Sequence, residues 1–170
     1  LPPFPQDFWQ DFHIAPFSEI GFRCAKHWLG DEVPEDILRD IVNETLSFDA
    51  PLVEVEPGMQ VLELFHGPTA AFKDFAARFL AACMSRLRAS TDPVQTIVVA
   101  TSGDTGGAVA AAFHQRPGFR VVILYPKGRV SARQAHQLGA FGDNVHTFCV
   151  TGDFDDCQRL AKQALGNPAM

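Results

Sequence analysis

The stretch "TIVVATSGDTGGAVAAAF", Thr96–Phe113, passes from an apolar run through a tight loop into a run of small residues. Isoleucine and valines side by side are the composition of a buried strand. The glycines and alanines from Gly106 to Phe113 open a helix that can pack closely. Two further apolar runs follow, "VVILY" from Val121 and "VHTFCV" from Val145. Each leads through a loop into a helical pattern, Ser131 to Leu138 and Phe154 to Leu165. Strands at nearly equal intervals, with a helix between each, predict a parallel sheet with helices on its faces. The units share no residue pattern, so the even spacing is architectural and not a sequence repeat.

Working toward the N-terminus, Ala71 onward predicts a long helix. Phe72, Phe75, Ala76, Phe79, Leu80, Cys83 and Leu87 recur at helical spacing as a wide apolar stripe. Before it, Pro51–Val55 and Val61–Phe65 read as short strands around a Pro57-Gly58 turn. Pro34 to Leu46 reads as a helix opened by its proline, and Phe17 to Leu29 as a helix stopped by Gly30. Leu1 to Asp11, rich in proline and aromatics, reads as a docked irregular arm. The expected organisation is a helical N-terminal segment, 1–50, followed by a three-layer αβα part with a mainly parallel sheet, 51–170. The chain begins without an initiator Met and stops after a helix where the rhythm calls for another strand. It therefore reads as a piece of a longer protein.

Composition bounds the function. The chain has 170 residues, 46% of them apolar and 20% charged, an ordinary globular balance with room for a substantial core. A net charge of -6 with scattered basic residues speaks against a nucleic-acid partner. No apolar run approaches the ~18 residues of a membrane span. Cys24, Cys83, Cys149 and Cys157 lie far apart without metal or disulfide spacing, and read as reduced, mostly buried thiols of a cytoplasmic protein. The histidines are dispersed, so no metal site is expected.

Three loops could carry chemistry. Lys73 opens the helix after "HGPTAAF". One reading is a surface lysine beside an ordinary Asp74–Arg78 ion pair. The other uses the helix dipole. An amine at the positive end, between Phe72 and Phe75, is pushed toward its neutral, nucleophilic form. The "TSGDTGG" loop offers the hydroxyls of Thr101, Ser102 and Thr105, and backbone N–H groups around Gly103, Gly106 and Gly107. Beyond a strand's carboxyl end and at a helix start, these suit a carboxylate or phosphate. A plain turn with Asp104 as N-cap is the alternative. In "YPKGRVS", Lys127 and Arg129 could meet a phosphate or simply face solvent. The loop lacks GxGxxG, so it is not a dinucleotide fingerprint. Asp104-Thr105-Gly106 has no second copy to make an aspartic-protease dyad.

In order along the chain, "LFHGPTAAFKDF", "ATSGDTGGAVA", "VVILYPKGRVS" and "TGDFDDCQRLAKQA" resemble the threonine synthases. "GDEVPEDIL" and "FDAPLVEVE" fit the same family upstream. Only Ala70 departs slightly, standing where a larger aliphatic residue is usual. The resemblance implies a pyridoxal-phosphate enzyme with the fold of the tryptophan synthase β subunit. It implies conversion of O-phosphohomoserine and water to threonine and phosphate. Lys73 would form the Schiff base with the cofactor, beside Phe72. Asp104, where relatives have asparagine, would stand near the cofactor's 3′-oxygen. Thr101, Ser102, Gly103, Thr105 and Gly106 would take the substrate's carboxylate, and Lys127 and Arg129 are candidates for its phosphate. The phosphate cradle for the cofactor would lie beyond residue 170, leaving this segment alone inactive. Another lyase of the fold, of the threonine dehydratase or cysteine synthase type, and a truncated binding module are the competing readings.

Overall fold

A computed structural model describes residues 2–167. Contacts divide the chain into two compact units, residues 1–67 and 68–170.

In the first unit, the arm is held by aromatic stacking. Phe4 lies 4.3 Å from Phe8 and 4.9 Å from Trp28, ring centre to ring centre. His27 meets the Pro3 carbonyl at 3.1 Å. Helix α1 spans Phe17–Leu29 and ends at Gly30, whose φ of 58° suits glycine. Helix α2 spans Glu35–Thr45, with Leu38, Ile41 and Val42 buried. Strands β1, Leu52–Glu56, and β2, Met59–Leu62, form an antiparallel hairpin. The sequence places this second strand two residues later. The Pro57-Gly58 turn is so tight that Glu56 pairs directly with Met59, so the strand starts at once.

The second unit is built on a parallel sheet. Its strands β3, Gln95–Ala100, β4, Phe119–Pro126, and β5, Val145–Val150, lie in sequence order. Ile97, Val121 and Val145 stand side by side across the sheet. Helix α3 is Lys73–Leu87, α4 Asp104–Phe113, α5 Ala132–Gly139 and α6 Phe154–Leu165. Alternate residues of β4, Phe119, Val121 and Ile123, join Ala108, Ala110, Ala112 and Phe113 of α4 and Leu138 of α5 in one core. Helix α6 packs on β3 and β4 through Cys157 and Ala161, which stand outside that cluster, giving the third layer. At the amino edge, Asn144 donates to the carbonyls of Phe113 and Phe119 at 2.9 and 3.1 Å and accepts from Gln115 N–H at 2.8 Å.

The face that α3 buries differs from the expected stripe. Asp74, Ala77, Ala81 and Ala82 are buried, while Phe72, Leu80 and Leu87 are exposed. Ala77 and Ala81 belong to the same core cluster as the alanines of α4. Small residues on both helices allow close packing, so size is a poor guide to burial here. The cysteines are also less buried than expected. All four are free, but only Cys157 is fully buried and Cys149 is exposed.

Candidate functional site

The anion loop is organised from below by Thr101. This residue is 1% exposed, at the end of β3. Its hydroxyl oxygen accepts the N–H of Gly103 at 3.0 Å and of Gly106 at 2.9 Å, and its proton goes to the Gly103 carbonyl at 3.1 Å. The hydroxyl and the Gly106 N–H are therefore engaged inside the loop. Gly103 caps α4 with φ 148° and ψ −95°, a conformation that requires glycine. Asp104 is not the cap. It is the first helical residue, and Gln134 Nε2 donates to its Oδ1 at 2.8 Å.

What remains available on this loop is specific. Ser102, Asp104 and Thr105 are exposed, and among the described residues their N–H groups form no bond within the chain. Two hydroxyls and three N–H groups thus stand at the positive end of α4, the arrangement that receives an anion.

Lys73 is the first residue of α3 and is half-buried. Its Nζ rests 4.5 Å from the centre of the Phe72 ring. The turn before it is held by Asp74, which the sequence reading pairs with Arg78 further along the helix. The Asp74 carboxylate is fully buried and accepts the Thr69 N–H at 2.9 Å and the Thr69 hydroxyl at 2.6 Å. Ala70, between these partners, has φ 57°.

This turn and the anion loop meet in one place. Pro68, Thr69 and Ala70 line an open cleft of about 850 Å³ with Asp104 and, from α5 and its cap, Ser131, Arg133 and Gln134. His136 and Gln137 line it further along α5. The sequence reading passes over these α5 residues, although "SARQ" carries the Ser-x-x-Gln signal of a capping box. Arg133, His136 and Gln137 then follow from helical spacing. Lys127 and Arg129 sit on the exposed turn after β4, around Gly128 with φ 68°, and do not line this cleft. Among the described residues no cluster of His, Cys, Asp or Glu could hold a metal, and no helix is long and apolar enough to cross a membrane.

A half-buried amine at one helix head and unbonded donors at another, with the turn before the amine and Asp104 of the loop lining one cleft, fit a carbonyl-bearing cofactor that carries a carboxylated substrate. Residues 52–169 match the family model of the pyridoxal-phosphate dependent enzymes, and the chain belongs to that family. Within it, the particular likeness is to threonine synthase. The chain is 50% identical to the Escherichia coli threonine synthase over 169 residues, covering 95% of this chain and 39% of that protein. The Schizosaccharomyces pombe threonine synthase is 36% identical over 182 residues, covering 98% of this chain and 35% of that protein. The crystal structure of the Escherichia coli enzyme superposes with a TM-score of 0.90 at 41% identity, over 99% of this chain and 39% of that one. A pyridoxal-phosphate-bound threonine synthase from Brucella melitensis gives 0.86 at 38% identity, over 99% and 38%. The chain thus spans under two-fifths of the length of these relatives.

Proposed function

We propose that this chain provides the lysine and carboxylate-binding part of a threonine synthase, a lyase that converts O-phosphohomoserine and water to L-threonine and phosphate. The observation that carries the reading is the set of unbonded donors at Ser102, Asp104 and Thr105, on a loop that shares its cleft with the turn leading to Lys73. The similarity to threonine synthases over 95% of the chain supports the choice of reaction.

The residues present fit pyridoxal phosphate. When bound, it supplies an electron sink for charge developing beside the substrate's carboxylate. Lys73 would hold the cofactor's carbonyl carbon through its amine and, when free, would move a proton at the substrate carbon. Phe72 offers its ring beside that amine. Asp104 would offer its carboxylate beside the cofactor's 3′-oxygen. Ser102 and Thr105 hold the substrate carboxylate through hydroxyl and N–H groups, with Thr101, Gly103 and Gly106 shaping the loop. Lys127 and Arg129 are offered to the substrate's phosphate. The helical N-terminal segment, 1–50, and the αβα part, 51–170, are proposed as the functional division, the hairpin of β1 and β2 packing with the first unit. The protein is assigned to the cytoplasm, as an amino-acid biosynthetic enzyme.

The experiment replaces Ser102 and Thr105 by Ala in the cofactor-loaded protein. Each lost bond to a carboxylate should raise the substrate dissociation constant about tenfold to a hundredfold, while the cofactor's visible absorbance stays. Lys127→Ala and Arg129→Ala should weaken phosphohomoserine more than an unphosphorylated analogue. Unchanged binding in the Ser102 and Thr105 variants would make the loop only a helix cap.

A further inference from the structure

We propose that Gln134 is the positioning residue of the carboxylate loop, clamping the head of α4 to the head of α5 so that the Ser102, Asp104 and Thr105 donors converge on an anionic ligand. The proposal rests on the reading of that loop as a carboxylate site.

Gln134 lies 30 residues from Asp104 in the chain, yet its Nε2 donates to Asp104 Oδ1 at 2.8 Å. Its Oε1 accepts the Ser131 N–H at 3.0 Å, and its own N–H goes to Ser131 Oγ at 3.2 Å. These partners fix which end of the amide is which. The oxygen must face an N–H, and the nitrogen must face a carboxylate. The same amide occupies the space beside Gly103. A Cβ added there would stand 2.3 Å from Nε2 and 2.7 Å from Cδ. Glycine at 103 is required by its φ of 148°, and a Cβ there would displace the Gln134 amide from its place beside the loop.

The loop is consequently held from both sides. Thr101 grips Gly103 and Gly106 from the buried side. Gln134, which lines the cleft, bonds Asp104 and sits close against Gly103 from the other. A residue that merely capped α5 would need only the reciprocal bonds with Ser131, which glutamate makes as well as glutamine. The bond to Asp104 needs an amide donor, which a carboxylate cannot supply. Gln134→Glu therefore separates the two roles.

The test titrates L-threonine into the cofactor-loaded protein and follows the backbone amide resonances of Ser102, Asp104 and Thr105. Gln134→Glu keeps the α5 cap, so its thermal midpoint stays near that of the unaltered protein. Its affinity falls about tenfold or more at about pH 8, where two facing carboxylates repel. It recovers toward about pH 5, where the pair shares a proton. The double variant Gln134→Glu with Asp104→Asn reverses donor and acceptor and binds more tightly at about pH 8 than Gln134→Glu alone. If Gln134→Glu does not fold, Gln134→Met tests the same bond, with a loss of about tenfold that does not vary with pH. Unchanged affinity in either variant, or a loss in Gln134→Glu that ignores pH, overturns the proposal. If Ser102→Ala and Thr105→Ala weaken binding while the Gln134 variants do not, only the positioning role falls. If all of them bind as the unaltered protein does, the carboxylate-site reading falls with it.

Discussion

The carboxylate of Asp74, fully buried at the start of α3, takes both the N–H and the hydroxyl of Thr69, at 2.9 and 2.6 Å. Two bonds to one charged group tie the turn from Pro68 to Phe72 onto the helix that Lys73 opens. Removing that anchor by Asp74→Ala should cost about 1.5–3 kcal/mol for each bond to the charged group. Urea unfolding of Asp74→Ala, Thr69→Ala and the double variant would measure it. The double variant should lose less than the sum of the single ones, because the interaction is shared. A loss below about 0.5 kcal/mol in Asp74→Ala, the level of an ordinary surface change, would mean the bonds contribute little.

The same turn holds Ala70 at φ 57°, where a Cβ crowds the following carbonyl. Ala70→Gly removes that crowding but loosens the unfolded chain, which offsets part of the gain. The net expectation is stabilisation of about 0.5–1 kcal/mol, read from the denaturation midpoint. Destabilisation by Gly would show that Ala70 is unstrained.

Thr101 and its neighbours on the anion loop should respond in opposite ways. Thr101→Val keeps the shape and leaves the buried N–H groups of Gly103 and Gly106 without an acceptor. That should lower stability by about 1–3 kcal/mol. Ser102→Ala and Thr105→Ala, at exposed positions, should stay within about 0.5 kcal/mol. Thermal unfolding of the three variants checks the split. Equal stability for all three would make Thr101 another surface hydroxyl.

How far the sequence carries depends on the range of the interaction. The sheet was legible in its three apolar runs, and α1 and α6 fell on the residues their periodicity marks. The inner face of α3 was not, because it is made of alanines that meet the alanines of α4, while larger residues point outward. Lys73 stood out because a cation at a helix head is unusual, and the loop from Thr101 to Gly107 because its glycines and hydroxyls cluster directly after a strand. The inward turn of the Thr101 hydroxyl depends on how the chain folds over it. The Gln134–Asp104 bond joins residues 30 apart. Its capping half is written in "SARQ", but the half that reaches Asp104 has no local signature. Asp74 was read as a partner for Arg78 further along the helix, whereas its carboxylate reaches back to Thr69.

The cysteines make an independent check on packing. Burial pushes the thiols of Cys24, Cys83 and Cys157 up, and for Cys157 the nearby Asp156 and Asp153 add to it. A raised thiol holds less reactive thiolate at a given pH. Cys149 is exposed. Alkylation of the native protein at about pH 8, mapped by mass spectrometry, should modify Cys149 first and Cys157 last. Early modification of Cys157 would mean that α6 does not cover the sheet as described.

The role of Lys73 is the centre of the account, and covalent trapping tests it most directly. The protein loaded with pyridoxal phosphate is reduced with borohydride, digested, and its peptides mapped. The chain has four lysines to choose from, Lys26, Lys73, Lys127 and Lys162. The account predicts the reduced cofactor on Lys73, and loss of both label and visible absorbance in a folded Lys73→Ala variant. A label on any of the other three, or a Lys73→Ala variant that retains the absorbance, would contradict it.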